Sequence, residues 1–369
     1  MLCVTSMSQA QSVKDAIEFF TIHVNKKAYA RDSTLYPAKV IVAPVISYSP
    51  ETSVALGVGA KYLFKMKGSG DETRTSNMPV SLRYTFENQF IIYSGFEVFT
   101  PQERWMLTGN LLYQKFPRLF YGIGRDTDEA AEEEYSFSQV LIEPILLKGV
   151  FFKHFFLGAG VRYNHISGAE YEPDGLLDLS GEAESTSAGV ELAMVYDSRD
   201  NLLNAYSGLY VEFTHGFYGK VMNATHSFEL TRLDLRYFVQ PFKNKNDDVI
   251  ATQLLLHFTH GAAPLIELAQ FGMEGSMRGY YEGRYMDNHM VALQTEYRKK
   301  IYRRLGGVVF AGVGDVSDRV GNFEFNNLRW VVGGGLRFML EKKERLNVRF
   351  DVGFGNKTNN YYLNIAEAF

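Results

Sequence analysis

Leu346-Asn347-Val348-Arg349-Phe350-Asp351-Val352-Gly353-Phe354 is the run from which the fold is read. Leu346, Val348, Phe350, Val352 and Phe354 alternate with Asn347, Arg349 and Asp351. Successive side chains of a strand point to opposite faces, so one face is an unbroken apolar stripe and the other carries charge. Two neighbouring runs repeat the pattern. Leu328 to Leu340 sets Trp330, Val332, Leu336 and Phe338 against Arg329 and Arg337. Met290 to Tyr302 sets Val291, Leu293 and Tyr297 against Gln294, Glu296 and Arg298. Lipid hosts such charges only at high cost, so the apolar set is expected to face lipid and the polar set to line a lumen. A soluble β-sandwich would need a split into two sheets over a shared apolar core, and no such split is visible.

Outward from these runs, the period of two holds from Lys39 to Phe369 and gives sixteen expected strands, from Val40 to Tyr48 through Asn359 to Phe369. An even count of strands, each roughly nine to fifteen residues long, suits an all-β, 16-stranded antiparallel transmembrane β-barrel. Composition agrees: 28 Phe, 23 Tyr and 33 Gly against 10 Pro favour strands and tight turns over the 369 residues. No apolar run is long enough for a membrane helix, which leaves strands as the only spanning element. Long and short connections alternate. Arg118 to Glu134, Ser167 to Thr186, Gly261 to His289 and Asp315 to Asn327 are among those at one expected end, while Thr100 to Glu103, Lys148 to Gly149 and Arg303 to Arg304 are among those at the other, with Lys67 to Asn77 the main exception. The first two long segments are strongly acidic, which suits solvated outer loops, with a divalent-cation or lipid-headgroup role as the alternative.

The formal net charge of -4 gives no electrostatic basis for binding nucleic acid. The single cysteine, Cys3, excludes an internal disulfide or thiolate metal site in the body of the fold. His257 and His260 have opposite strand parity, as do His226 and Ser227, so neither a metal pair nor a Ser/His catalytic pair is expected there; no catalytic residue, metal or cofactor is assigned. Residues 1–12 read like the tail of a secretory signal, with Ser8-Gln9-Ala10 as a small-residue cleavage site, and the start is expected to be internal to a longer precursor. Within 13–39, the spacing of Val13, Ala16, Ile17, Phe20 and Val24 predicts a short N-terminal amphipathic helix over Val13 to Ala30 that rests in the barrel mouth or lumen. Residues 40–369 form the expected barrel.

One connection stands apart. Phe271 to Arg284, Phe-Gly-Met-Glu-Gly-Ser-Met-Arg-Gly-Tyr-Tyr-Glu-Gly-Arg, places Gly272, Gly275 and Gly279 around Arg278, a shape suited to folding against the inside of a barrel. Ser276-Met277-Arg278-Gly279-Tyr280 resembles the (V/I)-R-G-(F/Y) motif in the sixth outer loop of the outer-membrane-protein-assembly and two-partner-secretion superfamily, also called the bacterial surface antigen family. Its place between the eleventh and twelfth expected strands agrees. Gln294 to Arg298 is similar to the E-x-R strand of that family, Asp197-Ser198-Arg199-Asp200 before Gly208 to its D-x-R-D turn, Asn347 to Asp351 to its R-x-D strand, and Tyr361 to Phe369 to its C-terminal signal.

The resemblance, over roughly Val40 to Phe369, implies that Arg278, with Gly279 and Tyr280, anchors the loop in the lumen, and that Glu296 is its first carboxylate partner. A guanidinium withdrawn from water needs a bidentate acid, which a lysine would serve less well. The family takes a second acid from an F-x-D-x-G strand. Here Phe310-Ala311-Gly312-Val313-Gly314 has glycine in that place, so Asp315 or Asp351 is expected to substitute, or Glu296 to act alone. Family members carry periplasmic polypeptide-transport-associated domains, and the stretch before the first strand is too short for one. The resemblance therefore implies a short member in the outer membrane of a Gram-negative cell, inserting or exporting proteins or lipids, with outer-membrane lipid, lipopolysaccharide and envelope proteins as partners. A weak lateral seam is expected between the first and last strands, with Pro44 lacking a donor in one and Gly353, Gly355 and Phe369 flanking the other. The alternative is a plugged, scaffolding barrel within a larger envelope complex.

Overall fold

The computed structural model describes residues 21–24, 36–49, 53–128, 132–172, 175–177, 184–242, 248–272, 276–342 and 345–369. The expected signal remnant and most of the expected N-terminal helix lie outside them. The described residues form β1 (Thr21–His23), β2 (Lys39–Ser49), β3 (Ser53–Phe64), β4 (Ser76–Thr85), β5 (Phe90–Phe99), β6 (Trp105–Phe120), β7 (Glu133–Gly149), β8 (Phe155–Glu170), β9 (Ser185–Asp197) and β10 (Gly208–Tyr218). The series continues with β11 (Phe228–Val239), β12 (Val249–Gly261), β13 (Ala269–Gln270), β14 (Met286–Asp287), β15 (His289–Tyr302), β16 (Leu305–Ser317), β17 (Arg329–Glu341), β18 (Leu346–Gly355) and β19 (Thr358–Ile365). The fold is all-β and antiparallel, with 19 strands and, among the described residues, only short 3-10 turns as helix.

One large sheet runs by sequential hairpins from β2 to β12 and from β15 to β19, while β13 and β14 form a separate two-stranded ribbon. β2 meets β19 through one register pair, Leu363 with Tyr48. Where β19 leaves the edge of β2 uncovered, β1 takes it: Thr21, Ile22 and His23 pair with Ile41, Val40 and Lys39. These three residues fall inside the expected helix and are extended instead, because an unpaired strand edge supplies ladder partners that an isolated helical turn lacks.

The sheet is inside out relative to a water-soluble one. Val309 is 60% exposed, Leu336 55% and Phe354 49%, while Glu296 and Asp351 are wholly buried on the other face. Alternation alone produces this division, since odd residues of β18 point in and even ones out. The strand ends differ from expectation at the C-terminus. β19 stops at Ile365 because Ala366 adopts φ 84°, and the chain turns inward. Phe369 then packs with Ala205, Phe238 and Ala251.

Candidate functional site: a buried arginine clamp

The connection between β12 and β15 folds back along the polar face and is held together by its own backbone. Phe271 N donates to Tyr285 O at 2.9 Å and Gly283 N to Phe271 O at 2.8 Å, which ties its two limbs above the β13–β14 ribbon. Phe271, Tyr280 and Tyr285 then pack in tilted and edge-to-face pairs, with centroids 5.5 to 5.9 Å apart, against Met290, Ala292, Val316 and Val331 of the wall. This aromatic cluster fixes where the next side chain goes.

Arg278 is 2% exposed. Its Nη1 donates to Asp351 Oδ2 at 2.7 Å and its Nη2 to Glu296 Oε2, so one guanidinium bridges β15 and β18. Its Cζ lies 3.9 Å from the ring centroid of Phe310 on β16, one of the two strands between them, which supplies a cation–π face. The two carboxylates are shared. Glu296 also accepts from Arg298 Nε at 2.6 Å, and Asp351 from Arg349 Nη1 at 3.2 Å and from Arg337. Arg337 Nε continues to Glu367 at 2.7 Å, and Arg298 Nη2 to the main-chain oxygen of Phe369 at 2.9 Å. An arginine and a carboxylate alternate from the loop to the inward-turned end of the chain, so each buried charge has an opposite neighbour, as burial requires.

The loop backbone is seated as firmly as its side chain. Gly279 has φ 133°, a conformation that strains any side chain, and its N–H donates to Tyr362 Oη at 3.0 Å. Gly279 O accepts from Thr358 Oγ1 at 3.0 Å and Asn360 Nδ2 at 2.9 Å, and Tyr280 Oη donates to Trp330 O at 3.1 Å. A Cβ on Gly353 would sit 2.3 Å from Arg278 O, and one on Gly355 2.8 Å from Tyr280 Cζ. These two glycines form the bed of the loop.

Of the residues singled out in the sequence, the structure brings Arg278, Gly279, Tyr280, Glu296 and Asp351 together. Asp315 lies elsewhere, 3.3 Å from Arg125 Nη2 and accepting from Glu324 N at 2.9 Å. The glycine in place of the family's aspartate is explained by space: a Cβ on Gly312 already meets Val331 Cγ2 at 3.0 Å and Gln294 Cβ at 3.1 Å. The residues expected at the seam divide. Pro44 pairs with Val58 of β3 and points to the exposed face. Gly353, Gly355 and Phe369 belong to the interior network and not to the junction with β2.

Sequence reasoning passed over a second anchor. Glu267, on the ascending limb of the same connection, accepts from Arg162 Nη1 at 2.8 Å and from Asn164 Nδ2 at 2.7 Å, both on β8. Arg162 also reaches Glu143 of β7 at 3.1 Å. The loop is thus pinned by a cation on one limb and an anion on the other. A lone acid in the apolar run Pro264 to Leu268, and two polar residues of equal parity in Val161-Arg162-Tyr163-Asn164, were the available signals.

With this geometry in hand, the comparisons with known proteins are consistent. The Omp85 superfamily domain matches residues 55–369, and the chain belongs to that superfamily. Among solved structures it is similar to BamA from Haemophilus ducreyi lacking POTRA domains 1-3, with a TM-score of 0.58 and 11% identity over 88% of this chain and 70% of that one. It is also similar to CdiB from Acinetobacter baumannii, with a TM-score of 0.55 and 12% identity over 89% of this chain and 60% of that one. No curated protein matches.

Proposed function

We propose that the chain is a closed, sixteen-stranded barrel in the outer membrane of a Gram-negative cell that helps insert or export proteins or lipids. The clamp carries the reading: a buried Arg278 held between Glu296 and Asp351 positions the long connection inside the barrel. The exposed apolar face supports a hydrocarbon surround, since a wall of that kind is unfavourable in water. Superfamily membership and the likeness to BamA and CdiB support a role in assembly or secretion. In this reading the protein acts by shape, with no bond-making step, and its moving part is the junction of β2 and β19.

That junction can be tested directly. Tyr48 and Leu363 face one another in register, so a Tyr48→Cys/Leu363→Cys pair places a disulfide across it. In proteoliposomes supplied with an unfolded outer-membrane client, the oxidised protein is expected to lose insertion activity and to regain it on reduction. Unchanged activity in the oxidised state would remove lateral opening from the mechanism. It would favour the second reading, a plugged scaffold within an envelope complex, for which the double anchoring of the loop at Arg278 and Glu267 already speaks.

A further inference from the structure

The glycines of β17 divide by face. Gly333 and Gly335 point inward, where a Cβ would meet Phe310 Cζ at 2.3 Å and Asp351 Oδ1 at 2.0 Å, so the clamp requires both. Gly334 points outward. A Cβ there would meet nothing nearer than Val308 O at 3.2 Å and Val309 Cγ1 at 4.0 Å, and the clamp gives no reason for it. Gly307 of β16 shares that outward face. The register pairs Gly307 with Leu336 and Val309 with Gly334, which makes the two glycines diagonal neighbours. They leave a furrow in an apolar wall, bare at Gly334 and lined at Gly307 by Ile301, whose Cδ1 lies 3.2 Å from where a Cβ on Gly307 would sit. Val309 and Leu336, exposed by 60% and 55%, are its banks.

At the foot of the furrow the β15–β16 hairpin abandons alternation. Lys299 to Arg303 are all exposed, and Lys299 pairs beside Gly307 itself. Arg303 lies 5.0 Å from the Tyr302 ring centroid, while Arg304 is occupied by the carbonyls of Met339 and Leu340 at 2.9 and 2.6 Å. Cations and an aromatic ring therefore sit at the edge of an apolar band, with a shallow track floored by Ile301 and the backbone of Gly334 leading up from them. An anionic head joined to a methylene chain matches both halves; an acidic protein surface would match only the cations. This rim lies at the end of the sheet that carries the two-residue β15–β16 connection, away from the acidic segments between β6 and β7 and between β8 and β9.

We propose that this surface binds an anionic glycerophospholipid of the inner leaflet, its phosphate at Lys299 and Arg303 and an acyl chain over Gly334 and the Ile301 side chain that covers Gly307. The proposal rests on the membrane-spanning reading above. Its test is native mass spectrometry of the full chain released from nanodiscs that contain phosphatidylglycerol or phosphatidylcholine. The wild type is expected to retain phosphatidylglycerol and not phosphatidylcholine, and inorganic phosphate is expected not to displace it. A Lys299→Ala/Arg303→Ala variant should weaken retention roughly thirtyfold, about fivefold for each cation near the surface. Gly334→Leu, which fills the furrow and leaves every charge in place, should also weaken it. Equal retention of the two lipids, or unchanged retention in either variant, overturns the proposal. Displacement by an acidic peptide together with indifference to Gly334→Leu also overturns it and assigns the rim to a protein partner. Failure of the chain to enter the discs as a heat-modifiable barrel would instead overturn the membrane reading on which the proposal depends.

Discussion

Arg278 serves two carboxylates on different strands, a geometry that needs a planar fork. A lysine in its place can satisfy one acid and must leave the other with its wall arginines alone. Arg278→Lys is therefore expected to lower the heat-unfolding midpoint less than Arg278→Ala. For the alanine variant, loss of about 3 kcal/mol is expected, the low end for a broken buried pair, because Arg298, Arg337 and Arg349 still neutralise Glu296 and Asp351. Gly353→Ala tests the seat without touching a charge. Its Cβ would lie 2.3 Å from the Arg278 carbonyl, so the loop must lift while β18 keeps its ladder. Faster protease cleavage within 272–285, with the strand content by circular dichroism unchanged, is the expected result. Equal cleavage rates would mean that the bed is not needed.

At the scale of elements, the 65–75 connection between β3 and β4 is a strap and not a hairpin turn. Arg74 spans from it to Glu103 at 3.0 Å and to Asp197 of β9 at 2.8 Å, and its guanidinium stacks on Phe99 at 4.4 Å. This connection thus reaches the β5–β6 connection and the end of β9, which accounts for a length that broke the long-and-short rule. Burial would push the Glu103 carboxyl up, but hydrogen bonds and charge from Arg74 hold it below the ordinary carboxylate range. A folded-state value below the unfolded one, about 4.3 for Glu, means that the stability it contributes is present at neutral pH and lost as pH falls below the unfolded value and through the lowered folded one. Glu103→Gln should therefore lower the heat-unfolding midpoint at pH 7 and flatten its decline in acid. A variant whose acid decline matches the wild type would show that the strap does not titrate.

For the whole molecule, the faces were legible because charge and hydrophobicity alternate over most of its length, and a one-residue slip would place Arg349 and Asp351 against the surround. Strands β2 to β12 and β15 to β19 fall on the expected runs within a few residues. What could not be read depends on distance or on backbone freedom. Glu267 finds Arg162 across 105 residues of sequence, a pairing no local pattern announces. Ala366 takes a left-handed turn that alanine rarely signals, so the end of the chain was expected to continue the last strand and turns inside instead. Thr21 to His23 fell within the stretch expected to be helical, and the uncovered edge of β2 decided otherwise. Asp351 was named with Asp315 as a possible partner of Arg278, and only the register of β18 separates them.

The bare backbone from Gly333 to Gly335 has one more effect. With no side chains to thicken the wall there, Asp351 and Arg337 stand a single strand's width from whatever bathes the outer surface. Interaction between charges strengthens as the polarisability of the surrounding medium falls. The ion pairs of the clamp are thus insulated by hydrocarbon when the wall is embedded and partly screened when it is not, so the interior of this protein takes its dielectric from its exterior.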